Sequence, residues 1–295
     1  VHQQKLRCTA PRYHPGGGGV NISRTIQELG GESTAFVALG GSTGAQYRAL
    51  LEATGIDCVY WDSDGDTRFS LTVMEEATGL HYRFVLPGPV QPPEATEGML
   101  ARLEELLATG VRYVAASGSL PPGIAPDFYG RLADSCRRAG AAIVLDSQGA
   151  ALRQALPYRP WLIRLNHFEA QELVGGEAES AAHILARQLI EHGSAEVAIV
   201  TLGEKGAIVA TAGREALIRA PHVEVRSAVG AGDSFVGALM VGLSRGWPLE
   251  TAARYGVAAA AATVTTEATE LCRADTVNAL FAQIPADPEL IADPA

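Results

Sequence analysis

Short apolar runs alternate with segments of helical period along most of this chain. Thr34–Leu39, Tyr113–Ser117, Ala141–Asp146, Trp161–Leu165 and Ala198–Thr201 have the length and the apolar content of buried strands. Between them the period changes to that of a helix. In Glu94–Leu107, the residues Met99, Leu100, Leu103, Leu106 and Leu107 fall on one face. Asp127–Arg138 is followed by Gly140, which suits the left-handed backbone that ends a helix. Ala181–Glu191 and Ser234–Val241 follow the same logic. Strands alternating with helices predict an α/β protein with a mainly parallel central sheet.

One stretch breaks this rhythm. Asp66–Glu75 and His81–Leu86 alternate with period two and are joined through Thr78-Gly79, which predicts a hairpin. Phe69, Leu71 and Val73 then share a face with Tyr82, Phe84 and Leu86, while Arg68, Ser70, Thr72, His81 and Arg83 lie opposite. Lys5–Thr9 repeats the pattern, with Lys5, Arg7 and Thr9 against Leu6 and Cys8. Together these strands predict a small sheet with one cationic and one greasy face. A hairpin is marginal alone in water, so the greasy face needs a partner. The expected layout is a lid strand in 1–14, core in 15–64, the lid hairpin in 65–88, core in 89–284 and a loose Pro/Asp-rich tail in 285–295.

Composition narrows the function classes. With 295 residues, 47% of them hydrophobic, the chain suits one large α/β domain with a modest appendage. A net charge of -10 argues against a nucleic-acid or membrane-surface role, both of which need a basic face. Local arginines still permit an anionic small molecule. Cys8, Cys58, Cys136 and Cys272 are widely spaced, without metal spacing, and read as reduced thiols of a cytoplasmic protein. No apolar run approaches the roughly 20 residues that span a bilayer. No signal-peptide pattern is visible, and the start at Val1-His2-Gln3 looks clipped.

Four short motifs carry candidate chemistry. Gly16-Gly17-Gly18-Gly19 runs straight into Val20-Asn21-Ile22 and a helical stretch, so it is either a loop closing on a ligand or a flexible linker. Gly230-Ala231-Gly232-Asp233 precedes a small-residue helix. The free N–H groups there can hold a phosphoryl oxygen, with Asp233 placed as a base; a capped turn would look the same. Asn166-His167-Phe168-Glu169 sets an amide and a carboxylate three apart, as a hydrated Mg²⁺ needs and as a capping box needs. Thr201-Leu202-Gly203-Glu204-Lys205-Gly206 suits a nucleotide over a sheet edge, or a hairpin turn. Neither a P-loop nor a protein-kinase motif set is present.

The order of these motifs, GGGG-V-N, N-x-x-E, T-L-G-x-x-G and G-A-G-D, resembles the PfkB (ribokinase-like) carbohydrate kinase family from about Lys5 to Leu280. Lys5-Leu6-Arg7-Cys8-Thr9-Ala10-Pro11, Tyr82-Arg83-Phe84-Val85 and Ser117-Gly118-Ser119-Leu120-Pro121-Pro122-Gly123 resemble its minor bacterial 6-phosphofructokinase subgroup. The resemblance implies a three-layer α/β/α sandwich with a β-sheet lid. It implies Asp233 as base and Gly230, Ala231 and Gly232 as anion hole. Asn166 and Glu169 would organise Mg²⁺; Arg164, Asn166, Thr201, Gly203 and Gly206 would lie along the nucleotide. Gly17, Gly18, Asn21 and Ser119 would contact the sugar, and Arg68 and Arg83, with Lys5 and Arg7 on the same face, its phosphate. K⁺ is a second implied ion, and two lids would clasp as a homodimer.

Departures from the pattern are local. Arg164 replaces a Lys, Leu165 a Pro and Ala228 a Thr, and Thr266–Cys272 lacks the usual Asn, Gly and Arg. A first core strand ending in a sugar-binding Asp is expected ahead of Val1. The expected activity is ATP-dependent phosphorylation of fructose 6-phosphate at its 1-hydroxyl. Tagatose 6-phosphate and fructose 1-phosphate are alternative substrates, and a non-catalytic sensor of the same fold is the alternative from another class.

Overall fold

Near-continuous apolar runs make strands buried on both faces, and four of them pair in parallel here. The computed structural model describes residues 7–175, 181–267 and 269–291. In chain order come α1 (Gly18–Glu28), β1 (Thr34–Leu39), α2 (Gly41–Thr54) and β2 (Asp57–Asp62), then the hairpin β3 (Ser70–Met74) and β4 (His81–Val85). The alternation resumes with α3 (Ala95–Leu107), β5 (Tyr113–Ser117), α4 (Phe128–Ala139), β6 (Ala142–Asp146), α5 (Gly149–Ala155), β7 (Leu162–Asn166), α6 (His167–Val174), α7 (Ala182–Glu191) and β8 (Val197–Thr201). It closes with β9 (Ala207–Thr211), β10 (Arg214–Ile218), α8 (Ala231–Ser244), α9 (Leu249–Val264), α10 (Ala274–Gln283) and β11 (Glu289–Leu290).

The central sheet has seven strands in the order β11-β10-β9-β8-β7-β6-β5. β5 to β8 are parallel, and β9, β10 and β11 continue antiparallel. Alternate residues feed two cores. Val144, Leu162 and Ile199 pack with α1, α8, α9 and α10, while Ile143, Leu145, Ile163 and Val200 pack with α3, α4, α5, α6 and α7. This is the expected three-layer sandwich. β1 and β2 form a separate two-stranded parallel sheet, and β3 and β4 a separate two-stranded antiparallel one.

Helix α8 is the most enclosed of the helices. Phe235 is 1% exposed, which stabilises the fold by on the order of 2–3 kcal/mol. Its glycines let neighbours come close. A Cβ on Gly237 would stand 2.7 Å from the Thr25 side chain of α1, and one on Gly242 would stand 2.8 Å from Ala252 of α9.

Two expected segments differ. Lys5 and Leu6 of the expected lid strand lie outside the described residues, and Arg7, Cys8 and Thr9 are exposed and in no strand. A strand exists only through its ladder. Here Pro11 lacks an N–H, and among the described residues β3 and β4 pair only with each other. The tail is not wholly loose either: Glu289–Leu290 pairs with β10, and Arg219 bonds Glu289 at 2.9 Å. The open edge of β10 offers backbone groups that these residues satisfy. Helix α8 also starts earlier than Ser234, so Ala231, Gly232 and Asp233 form its first turn.

Candidate active site

The hairpin expected from the alternating pattern forms with Leu71 opposite Phe84, Val73 opposite Tyr82 and Thr72 opposite Arg83. Opposite residues share a face, so Leu71, Val73, Tyr82 and Phe84 lie on one side, and Thr72 and Arg83 on the other together with the apolar Met74 and Val85. Phe69, Leu71, Tyr82 and Phe84 are exposed in the single chain. Arg83 sits in β4, whereas Arg68 precedes β3 and packs near Gly88. At the base of the hairpin, Asp66 accepts from Ser42 at 3.1 Å and Thr67 N–H donates to Gly40 O at 2.9 Å. The hairpin is thereby tied to the N-terminus of α2.

The four-glycine run is the entry to α1 rather than a linker. Gly17 precedes the helix with φ 104, and Asn21 N–H donates to Gly17 O at 2.9 Å. A Cβ on Gly18 would overlap Ser117 Oγ at 2.0 Å and crowd Asp233 Oδ1 at 3.2 Å, so only glycine lets α1 approach β5 and α8 so closely. Tyr47 OH donates to Gly16 O, and Arg24 Nη1 donates to Pro15 O at 3.0 Å. The loop is held by its carbonyls from outside.

Asp233 is the third residue of α8, partly buried among groups from four other elements. Asn21 Nδ2 donates to its Oδ2 at 2.8 Å. Ser117 at the end of β5 also bonds it, Asp146 at the end of β6 repels it, and Arg164 of β7 attracts it. Burial is the largest influence, and the carboxyl rises from 3.8 to about 6. Gly230 caps the helix, and a Cβ on Gly232 would lie 2.6 Å from Arg164 Nη1. The guanidinium therefore rests against Gly232 in the first turn. It is held at 3.2 Å from Asp146 Oδ1 and 2.8 Å from Thr201 Oγ1. Beneath that turn Thr263 Oγ1 donates to Ser234 Oγ at 2.7 Å, and Thr25 Oγ1 lies 3.3 Å from the same oxygen. Positive helix-end potential, a fixed guanidinium and a carboxylate in one recess suit proton removal beside a transferring anion.

Other expected residues stand at strand ends and in the segments that follow them. Asn166 and Glu169 form a reciprocal capping box on α6, with bonds of 2.9 Å and 2.8 Å. Gly203 and Gly206 shape the tight turn from β8 to β9, closed by Leu202 N–H to Gly206 O at 2.8 Å. Ser119 is exposed on the loop after β5. Ser117, Asp146 and Arg24 were not singled out from the sequence. The first two carry a readable signal, since each is a polar residue ending a buried parallel strand. A separate groove lined by Arg153, Arg159 and His192 lies where the chain enters β7 and β8, at the other end of the strands.

The sequence profile of the pfkB family carbohydrate kinases matches residues 2–276. The chain belongs to that family. As a pfkB-family member it is a phosphotransferase with an alcohol acceptor. It is 42% identical over 293 residues to an ATP-dependent 6-phosphofructokinase isozyme 2 of Mycobacterium tuberculosis, covering 99% of this chain and 84% of that protein. A 1-phosphofructokinase of Bacillus subtilis is 30% identical over 263 residues, covering 88% of this chain and 85% of that protein. The crystal structure of phosphofructokinase-2 from Escherichia coli in complex with fructose-6-phosphate superposes with a TM-score of 0.87 at 34% identity, covering 96% of this chain and 92% of that one. The same Escherichia coli enzyme is also known in complex with potassium and as a tetrameric inhibited form. The pfkB membership and this superposition establish the ribokinase-like fold read from the motifs.

Proposed function

We propose that this kinase transfers the γ-phosphoryl group of ATP to the 1-hydroxyl of fructose 6-phosphate. The observation that carries the reading is Asp233, a carboxylate held by Asn21 with its pKa raised to about 6 in the first turn of α8, at the positive end of that helix. Near that pKa the group is mostly ionised at neutral pH yet basic enough to accept a proton. The 1-hydroxyl would attack the γ-phosphorus as Asp233 takes its proton, and the bond from phosphorus to the bridging oxygen of ADP would break. The N–H groups of Ala231 and Gly232 and the Arg164 guanidinium would bind the oxygens of the phosphoryl group in flight. Gly17, Gly18, Asn21 and Ser119 would present the sugar, and Arg68, Arg83 and Arg7 its phosphate, through forked guanidinium bonds. Thr201, Gly203 and Gly206 would lie along the nucleotide.

Mg²⁺ would arrive with the nucleotide and offset phosphate charge. The donor set here fits a hydrated ion. The capping box uses Asn166 Oδ1 and Glu169 Oε2, which leaves Glu169 Oε1 to accept from the ion's water. Among the described residues there is no cluster of three acids, histidines or cysteines that would hold a bare ion. K⁺ is proposed as an activating ion on the strength of the potassium complex of the Escherichia coli relative. The exposed apolar side of the hairpin supports a homodimer in which two lids meet. Among the described residues no helix is long and apolar enough to cross a membrane.

A coupled ADP-release assay with MgATP and fructose 6-phosphate, tagatose 6-phosphate and fructose 1-phosphate tests the assignment. Fructose 6-phosphate should give the highest kcat/KM. A preference for fructose 1-phosphate would move the chain to the activity of its Bacillus subtilis relative. Binding without turnover of any sugar would favour the sensor.

A further inference from the structure

Arg24 is an unusual arginine. It lies two turns into α1, partly buried, and burial lowers its pKa from the ordinary arginine value with only Tyr47 acting against that. Among the described residues its bonding partners are two neutral oxygens: Pro15 O at 3.0 Å and Asn21 Oδ1 at 3.4 Å. Removing a guanidinium from water without a carboxylate to receive it is costly, so the position calls for a reason.

The reason lies in what each group can offer. A guanidinium has only donors, and an ionised carboxylate has only acceptors. The side-chain amide of Asn21 sits between Arg24 and Asp233. Its two ends differ by a half-turn of the amide, and only one arrangement satisfies both neighbours: oxygen toward Arg24, nitrogen toward Asp233. Without Arg24 the reversed amide costs little on that side, and it would set an oxygen against the carboxylate.

We propose that Arg24 is a positioning residue that locks the Asn21 amide so that it donates to Asp233, and so keeps the base ionised at working pH. The proposal rests on Asp233 being the base. The charged groups facing Asp233 directly are Asp146 from β6 and Arg164 from β7, with Ser117 of β5 as a further donor. On the α9 side the neighbour of this turn is Thr263, bonded to Ser234. Arg24 therefore acts through Asn21 and not by its own charge on the carboxylate.

The test compares pH profiles of kcat/KM for fructose 6-phosphate in the wild type, Arg24→Met, Arg24→Lys, Asn21→Ala, the Arg24→Met/Asn21→Ala double variant and Asp233→Asn. Losing a hydrogen bond to a charged group should move the acid limb of Arg24→Met upward by about one pH unit. Arg24→Lys, again a pure donor, should bring the limb back. The double variant should match Asn21→Ala alone, since both act through one bond. Arg24→Gln, which donates and accepts and so no longer dictates the amide, serves with the same expectation if Arg24→Met does not fold. An acid limb unmoved in the Arg24 variants but moved in Asn21→Ala overturns the proposal while leaving Asp233 as base. Full activity of Asp233→Asn would instead overturn the base itself.

Discussion

The Asn21 amide nitrogen stands 2.8 Å from the Asp233 carboxylate, joining α1 to α8 across 212 positions of sequence. This bond brings the four-glycine entry and the Gly-Ala-Gly-Asp turn into one site. It also offsets part of the destabilisation that burial imposes on the charged form of Asp233.

Replacing Asp233 with Asn should lower kcat by about 10²–10⁴-fold. In the wild type, turnover should fall as pH drops through about 6, because the base must be ionised. Stability should respond in the opposite sense. The folded pKa lies above the unfolded one, so the wild type is most stable with Asp233 protonated, and that stability is lost as pH rises through about 6. The Asn variant should therefore unfold at higher temperature than the wild type at pH 8, by at most about 3 kcal/mol, and the gap should close at low pH. Thermal melts at several pH values measure this.

Arg164 should resist replacement even by Lys. The guanidinium reaches Asp146 and Thr201 together while lying against Gly232, and a single ammonium cannot span these contacts. Arg164→Leu should cost about 10²-fold or more in kcat and raise the acid limb, since Arg164 lowers the Asp233 pKa. Arg164→Lys should restore the limb more fully than the rate. Equal rates in wild type and Lys variant would refute the clamping role.

Gly18→Ala should abolish turnover in a protein that still binds ATP. The added methyl would overlap Ser117 Oγ, and α1 would have to move away from Asp233. Isothermal titration with a nucleotide analogue, beside the kinetic assay, separates this local shift from unfolding.

The hairpin carries two separable predictions. Leu71→Lys with Phe84→Lys should leave a monomer by sedimentation velocity at micromolar concentration, because both lie on the exposed apolar side. Arg83→Ala should raise KM for the sugar phosphate by about 10-fold or more, as expected for one charge-assisted phosphate contact, and leave KM for ATP unchanged. An unchanged sugar-phosphate KM would remove Arg83 from the phosphate site.

Period and order made the layers legible. The runs from Tyr113, Ala141, Trp161 and Ala198 are all strands of the central sheet, because short apolar runs have little alternative to burial. The lid hairpin followed from strict alternation. What sequence could not show was pairing that depends on a neighbour, as with Arg7 to Thr9 left unpaired or Glu289 finding the edge of β10. In the site, glycine spacing disclosed the turns around Gly18 and Gly232. Ser117 and Asp146 were readable only as polar strand ends, because Asp233 reaches them from far along the chain, and Arg24 stayed hidden because a lone arginine on a helix carries no motif. The Asn166/Glu169 capping box and the Gly203/Gly206 turn show the converse, two motifs whose local geometry is wholly explained by helix and hairpin formation.

The glycine contacts that wedge α8 between α1 and α9 have a further consequence. They place the proposed base on a tightly packed helix, since Gly237 and Gly242 have no room even for a methyl group. The arginines proposed to choose the substrate stand on a two-stranded appendage tied in at Asp66 and Thr67. Substitutions on that short exposed ribbon should therefore change sugar-phosphate affinity at little cost to the fold, whereas a side chain at Gly237 or Gly242 should cost the fold itself.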